Sequence, residues 1–135
     1  MTDGQTVYEA IGGEAGVKKL VDRFYELMDT TAEGQAARAI HPKDLSDSNQ
    51  KLFEYFSGWL GGPQLFVERR GPPMLRARHL HAPIAAPEIQ SWLVCFMRAW
   101  RETIGNRPEI DELVLPQIHS LAHHMRNKED AKASQ

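Results

Sequence analysis

Four stretches of this chain repeat apolar residues at every third or fourth position, and that spacing fits one kind of element. In an α-helix, positions i, i+3, i+4 and i+7 share a face, whereas the faces of a strand alternate at every residue. Val17, Leu20, Val21, Phe24, Leu27 and Met28 form a stripe running from Glu14 to about Asp29. Leu52, Phe53, Phe56, Trp59 and Leu60 form a second, with Ser46 or Ser48 as its expected cap and Gly61-Gly62 as its stop. Ile89, Trp92, Leu93, Phe96, Trp100 and Ile104 form a third, opened near Pro87 and stopped at Gly105. Ile110, Leu113, Val114, Ile118, Leu121 and Met125 form a fourth behind Pro108. Pro116 falls inside that helix and is expected to bend it, because it removes a backbone donor. A shorter helix is predicted over Val7 to Ile11, capped by Thr6 and stopped by Gly12-Gly13, and a helical turn over Gln35 to Ile40 before Pro42. Leu65 to Val67 is too short to count as a strand, so the expected class is all-α.

A length of 135 residues suits a single domain, with a folded core expected over about 7–126 and a polar tail over 127–135. One cysteine excludes a disulfide framework and a Cys-only zinc site. Sixteen Lys and Arg against eighteen Asp and Glu leave a net charge of −2, which argues against nucleic acid, where phosphate neutralisation dominates binding. No apolar run approaches the ~20 residues needed to span a bilayer, so no membrane role is expected. The opening MTDGQTVYEAIGG lacks the basic start and apolar centre of a signal peptide, and the expected location is the cytoplasm. Phosphate-loop, HExxH and GxSxG motifs are absent.

Residues 61–86 break the helical pattern. Five of the eight prolines lie between positions 63 and 87, and the segment is expected to be a long connection without regular structure. It carries Leu65, Phe66, Val67, Met74, Leu75, Leu80 and Ile84, too apolar for a solvated linker. It also carries Arg69, Arg70, Arg76, Arg78, His79 and His81 against the single acid Glu68. Such a loop suits an apolar ligand bearing negative groups. An RNA patch is disfavoured, since Phe66 is the only interleaved aromatic. His119 and His123 share a helix face and could bind a divalent metal, although solvated surface histidines are the simpler reading. Cys95 reads as a small buried hydrophobe, and Trp92, Phe96 and Trp100 as core. On spacing alone, His79 and His81 serve equally well as surface groups or as ligands. The residues by themselves support a small helical protein with a ligand cleft near 74–92.

Taken together, the motifs resemble those of group II truncated haemoglobins. YEAIGGEAGVKKLVDRFYELM at 8–28 is similar to the family's short first helix, glycine pair and second helix. HPKDL at 41–45 resembles the corner after a shortened third helix, GGPQLFVERRGPPMLRARH at 61–79 the approach to the proximal histidine, and SWLVCFM at 91–97 the start of the next helix with its distal tryptophan. The likeness covers residues 7–126. It implies a two-over-two helical sandwich around haem b, with prolines stiffening the proximal loop.

By that resemblance His79 is the iron ligand, with His81 as the competitor two residues on. Lys51, Arg76 and Arg78 are implied as contacts for the haem propionates. Phe66 stands where relatives often carry tyrosine, which implies a lost hydroxyl near the propionates. Leu52 and Trp92 are implied as haem-pocket walls. Tyr25, His41, Ser48 and Trp92 are implied on the distal side, with small Ser48 leaving the pocket mouth open. Donors from Tyr25, Trp92 and His41 would stabilise the negative charge that builds on bound dioxygen and slow its release. The implied function is reversible binding of dioxygen and other small ligands at a five-coordinate iron, serving redox, sensing or detoxification rather than bulk transport. A peroxidase-like or nitric-oxide-detoxifying side activity is compatible with such a pocket. An unidentified reductase and a monomer or homodimer are expected. The competing readings are a haem-free helical interaction module and a non-haem metal protein using His119 and His123.

Overall fold

In the computed structural model, which describes residues 1–129, every regular element is a helix. They are α1 (Val7–Ala10), α2 (Gly13–Thr30), α3 (Gln35–Ala39), α4 (Ser46–Trp59), α5 (Leu65–Arg70), α6 (Leu75–Arg78), α7 (Ala86–Thr103) and α8 (Pro108–His124). The four apolar stripes fall on α2, α4, α7 and α8. Helix α2 packs on both α4 and α7, α7 packs on α8, and the short α3 lies against α7. The expected all-α sandwich is the observed one. Among the described residues no helix is long and apolar enough to cross a membrane.

Local chemistry accounts for the ends of these helices. Thr6 caps α1 in a reciprocal box with Glu9: the Thr6 hydroxyl accepts the Glu9 amide at 3.1 Å, and the Glu9 carboxylate accepts the Thr6 amide at 3.1 Å. Helix α4 departs from expectation, because neither Ser46 nor Ser48 caps it. Leu45 occupies the cap position and Asp44 accepts the Ser46 amide at 2.9 Å. A carboxylate two residues ahead of the first turn serves as well as a hydroxyl within it. Two glycines are fixed by crowding. A Cβ on Gly16 would lie 2.0 Å from the Ile11 carbonyl oxygen, and one on Gly62 2.5 Å from the Tyr8 ring. Both contacts clamp α1 to its neighbours, as does the Tyr8 amide donating to the Leu60 carbonyl at 2.9 Å.

The core is a run of aromatic rings between the two layers. Phe24 meets Tyr25, Trp92 and Phe96 edge-on at 4.9, 5.0 and 6.2 Å. Phe96 stacks on Trp92 at 5.5 Å and meets Phe56 and Trp100 at 5.7 and 6.0 Å. Trp100 stays satisfied by donating its indole N–H to Asp111 at 2.7 Å. Cys95 is buried here, as its apolar neighbours suggested, and burial raises its thiol pKa. Helix α8 runs through Pro116 from Pro108 to His124.

Residues 61–86 are more ordered than expected. Instead of one irregular connection they contain α5 and α6. Phe66 is buried and anchors α5, and Gly71, at φ 82°, ends it by donating its amide to the Val67 carbonyl at 2.9 Å. Pro72 and Pro73 then forbid continuation. Met74, at φ 41° the only non-glycine in the left-handed region among the described residues, turns the chain into α6. The polar tail also begins later than expected. The backbone amides of Asn127 and Lys128 both donate to the Ile84 carbonyl, at 3.0 and 3.1 Å. Residues 130–135 of the expected tail lie outside the described residues.

Candidate functional site

His79 ends α6 and is half-buried, while His81 is exposed. The His79 ring nitrogen Nδ1 lies 2.6 Å from the Leu75 carbonyl oxygen. A carbonyl can only accept, so Nδ1 carries the proton and Nε2 keeps its lone pair. Burial, with the nearby charges of His81 and Lys51, lowers the His79 pKa and favours the neutral ring. Of the two candidate histidines, His79 is the one held in a fixed tautomer with an open nitrogen. Met74 and Leu80 flank it, 65% and 53% exposed, so two large apolar side chains face outward beside α6 among its arginines.

His41, in the corner after α3, repeats this arrangement. Its Nδ1 donates to the Ala37 carbonyl at 2.6 Å, and burial lowers its pKa, helped by the nearby charges of Arg38 and His79. Its N–H is therefore spent on the backbone, and its Nε2 is an acceptor. The His41 donor that the resemblance implies is, in the neutral ring, already engaged with Ala37. The Tyr25 ring lies edge-on to His41 at 5.9 Å, and its hydroxyl donates to the Ser48 carbonyl at 3.3 Å. Burial raises the Tyr25 pKa well above its ordinary value, so the hydroxyl stays protonated. Trp92 stacks on Phe96, and its indole N–H has no partner among the described residues. Tyr25 and Trp92 thus meet at Phe24, with the His41 ring and the Ser48 carbonyl against Tyr25. Leu52 is half-buried and packs against the core.

The expected propionate contacts differ in how far they are committed elsewhere. Lys51 pairs with Asp47 at 2.8 Å, and its charge reaches His79. Arg76 is exposed with no partner among the described residues. Arg78 lies over the Phe66 ring at 5.1 Å and donates to the Arg70 and Pro72 carbonyls, both at 3.0 Å. It braces the turn between α5 and α6. Phe66, packed edge-on to Tyr55 at 6.2 Å, is the floor on which Arg78 rests. His119 and His123 are exposed on α8, and among the described residues no three His, Cys, Asp or Glu side chains gather as a metal site.

Three supporting residues escaped the sequence reading. Glu54 on α4 is 2% exposed and receives Arg70 at 2.7 Å, Gln50 at 2.9 Å and Arg69 at 3.1 Å. It ties the arginine-rich segment to α4, and the charge imbalance of 61–86 was the signal that an acid must come from elsewhere. Ser91, buried on α7, accepts the Ala37 amide at 3.0 Å and donates to the Glu33 carbonyl at 2.6 Å. It fixes the amide side of Ala37, the residue whose carbonyl orients His41. Asn127 joins the end of α8 to the His79 turn through its side chain. No pattern in the sequence marks Ser91 or Asn127.

Known proteins share this fold over nearly the whole chain. Residues 6–127 match the family model for bacterial-like globins. A group 2 truncated hemoglobin of Bacillus subtilis is 38% identical over 125 residues, covering 93% of this chain and 91% of that protein. The solved group II 2-on-2 hemoglobin of Agrobacterium tumefaciens superposes with a TM-score of 0.90 at 50% identity, covering 96% of this chain and 98% of the other. A truncated oxygen-avid haemoglobin of Bacillus subtilis superposes with a TM-score of 0.81 at 36% identity, covering 91% and 100%. The chain therefore belongs to the bacterial-like globins and, within them, to the group II two-on-two truncated haemoglobins.

Proposed function

We propose that this globin binds haem b through His79 and holds dioxygen tightly in a pocket walled by Tyr25, His41 and Trp92. Membership of a haem-binding family supports the cofactor. The donor set fits it as well: a neutral, half-buried imidazole with an open Nε2, exposed apolar Met74 and Leu80 beside it, and the cations Lys51 and Arg76 near the same segment. The observation that carries the reading is the bond from His79 Nδ1 to the Leu75 carbonyl, because it leaves the opposite nitrogen ready for a metal.

Haem held by His79 would supply an iron able to bind a small ligand. The protein's own contribution is a set of hydrogen-bonding groups fixed in advance. The Trp92 indole can only donate, and its N–H is uncommitted among the described residues. The Tyr25 hydroxyl keeps its proton, and its 3.3 Å bond to Ser48 is long enough to exchange for a better acceptor. Neutral His41 offers an acceptor nitrogen, which suits steering the Tyr25 proton. Two donors aimed at a ligand that gathers negative charge slow its departure. The Bacillus subtilis haemoglobin described as oxygen-avid supports the same conclusion for its relative here. Slow release suits redox, sensing or detoxifying work in the cytoplasm, fed by a reductase, better than bulk transport. The same donors would polarise other small ligands, including nitric oxide and peroxide. Leu52 and Phe66 complete the walls, small Ser48 leaves the mouth open, and Arg78, with Nη2 engaged by two carbonyls, keeps Nε and Nη1 for a carboxylate.

The deciding experiment is an absorption spectrum of the purified protein titrated with haemin, reduced, and exposed to oxygen and to carbon monoxide. A Soret band that saturates at one haemin per chain and shifts with each gas is expected. A protein that stays colourless, or a band that ignores both gases, overturns the proposal.

A further inference from the structure

His79 follows a helix of four residues, whose Leu75 carbonyl sets the ring but which is too short to be stable by its own backbone bonds. The restraint comes from the far end of the chain. Asn127, three residues beyond α8, donates from Nδ2 to the His79 carbonyl at 3.2 Å and to the Ala82 carbonyl at 2.9 Å. Its Oδ1 accepts the Ile84 amide at 3.0 Å. The backbone amides of Asn127 and Lys128 return to the Ile84 carbonyl at 3.0 and 3.1 Å. One carboxamide thus meets three backbone groups of a single turn, and one of them belongs to His79 itself. Ala82 and Ile84 are buried, so the turn is pinned by packing as well.

We propose that Asn127 is a positioning residue for the iron-binding histidine, fixing the 79–84 turn so that His79, and not exposed His81, is presented to the metal. The inference rests on the haem reading above. The residue type follows from the geometry. The turn offers two acceptors and one donor, and only a primary amide supplies two N–H groups and an oxygen from one planar group. Aspartate, although of the same shape, would set a negative charge against two carbonyl oxygens.

The test compares wild type with Asn127→Asp, Asn127→Ala and a control, Lys128→Ala, that keeps its backbone bond to Ile84. Three quantities are read: amide exchange at Ile84 in the haem-free protein, the iron–histidine stretching band of the reduced holoprotein, and the rate at which haem passes to an apoglobin acceptor. Asn127→Ala is expected to lose roughly tenfold of the protection at Ile84, whereas Asn127→Asp keeps an acceptor for that amide, and both variants lose the two donors to the turn. They are expected to shift or broaden the band and to release haem about 10–100 times faster, as for other residues that orient a metal ligand. Lys128→Ala should match wild type. Asn127→Ala, which introduces no charge, carries the test if the aspartate variant does not fold. Lower stability with an unchanged band and unchanged haem release would reduce Asn127 to a structural residue and overturn the proposal. A wild-type protein that takes up no haem overturns the cofactor reading instead, and Ile84 exchange then still decides whether Asn127 holds the turn.

Discussion

Replacing Arg70 should destabilise this protein more than replacing its partner Glu54, although both changes break the same ion pair. Glu54 is 2% exposed, whereas the side chains of Arg70 and Arg69 are 28% and 55% exposed. Arg70→Ala leaves a buried carboxylate with Gln50 and the more solvated Arg69. Glu54→Gln leaves two guanidiniums that water already reaches. Removing the better-hydrated member of a pair exposes the cost of burying the other. The bond from Arg70, with further help from Gln50 and Arg69, holds the Glu54 carboxyl at about 2 against an ordinary 4.5. At 1.36 kcal/mol per unit that difference caps the contribution near 3 kcal/mol, and solvent around the arginines brings it to about 2 kcal/mol. Arg70→Ala is therefore expected to cost about 2 kcal/mol, near 7 °C in Tm for a domain of this size, and Glu54→Gln about 1 kcal/mol.

The pH dependence has a fixed sign. A carboxyl whose folded pKa is depressed adds stability wherever the unfolded chain is also ionised, and loses it as pH falls from about 4.5 through about 2. At pH 3 roughly two fifths of the pH 7 contribution remains. Urea titrations of the haem-free protein at pH 7 and pH 3 read both quantities, since bound ligand would mask them. Equal costs for the two variants, or an Arg70→Ala cost that does not shrink at pH 3, would refute the reasoning.

Other substitutions probe the pocket and the frame. Trp92→Phe, which keeps the stack on Phe96 but deletes the N–H, should speed oxygen dissociation about tenfold in stopped-flow release; wild-type kinetics would remove Trp92 from its role. His79→Ala should lose the five-coordinate reduced spectrum while His81→Ala keeps it, and loss of the iron–histidine Raman band in the His81 variant would reverse the assignment. Gly16→Ala drives a Cβ against the Ile11 carbonyl and should cost about 3 kcal/mol in denaturant, with a neutral result showing that α1 can shift. Ser91→Ala leaves the Ala37 amide without its partner and should cost about 1–3 kcal/mol while altering the His41 ring resonances by NMR; unchanged resonances would uncouple Ser91 from His41.

The long helices were legible because burial of one face imposes a period that a sequence displays directly. Val17 to Met28 and Ile89 to Trp100 each announce their helix, and Thr6 with Glu9 announces a cap. Helices α5 and α6 were not legible, since six and four residues hold too few turns for a stripe to emerge from the surrounding prolines. The site divides along the same line. Histidines, tyrosine and tryptophan reveal themselves as residue types that do chemistry, and their family motif marks where each should stand. What orients the histidines and the tyrosine is a backbone carbonyl: Leu75 for His79, Ala37 for His41 and Ser48 for Tyr25. Every residue carries a carbonyl, so no letter of the sequence identifies the ones that matter. The side chains that hold those backbones still come from remote positions, Ser91 for Ala37 and Asn127 for the His79 turn, with separations of 54 and 48 residues. The direction of hydrogen bonding at His41 follows from such a contact and not from residue type. It leaves the neutral His41 ring with an acceptor nitrogen beside a Tyr25 hydroxyl that stays protonated and donates to Ser48.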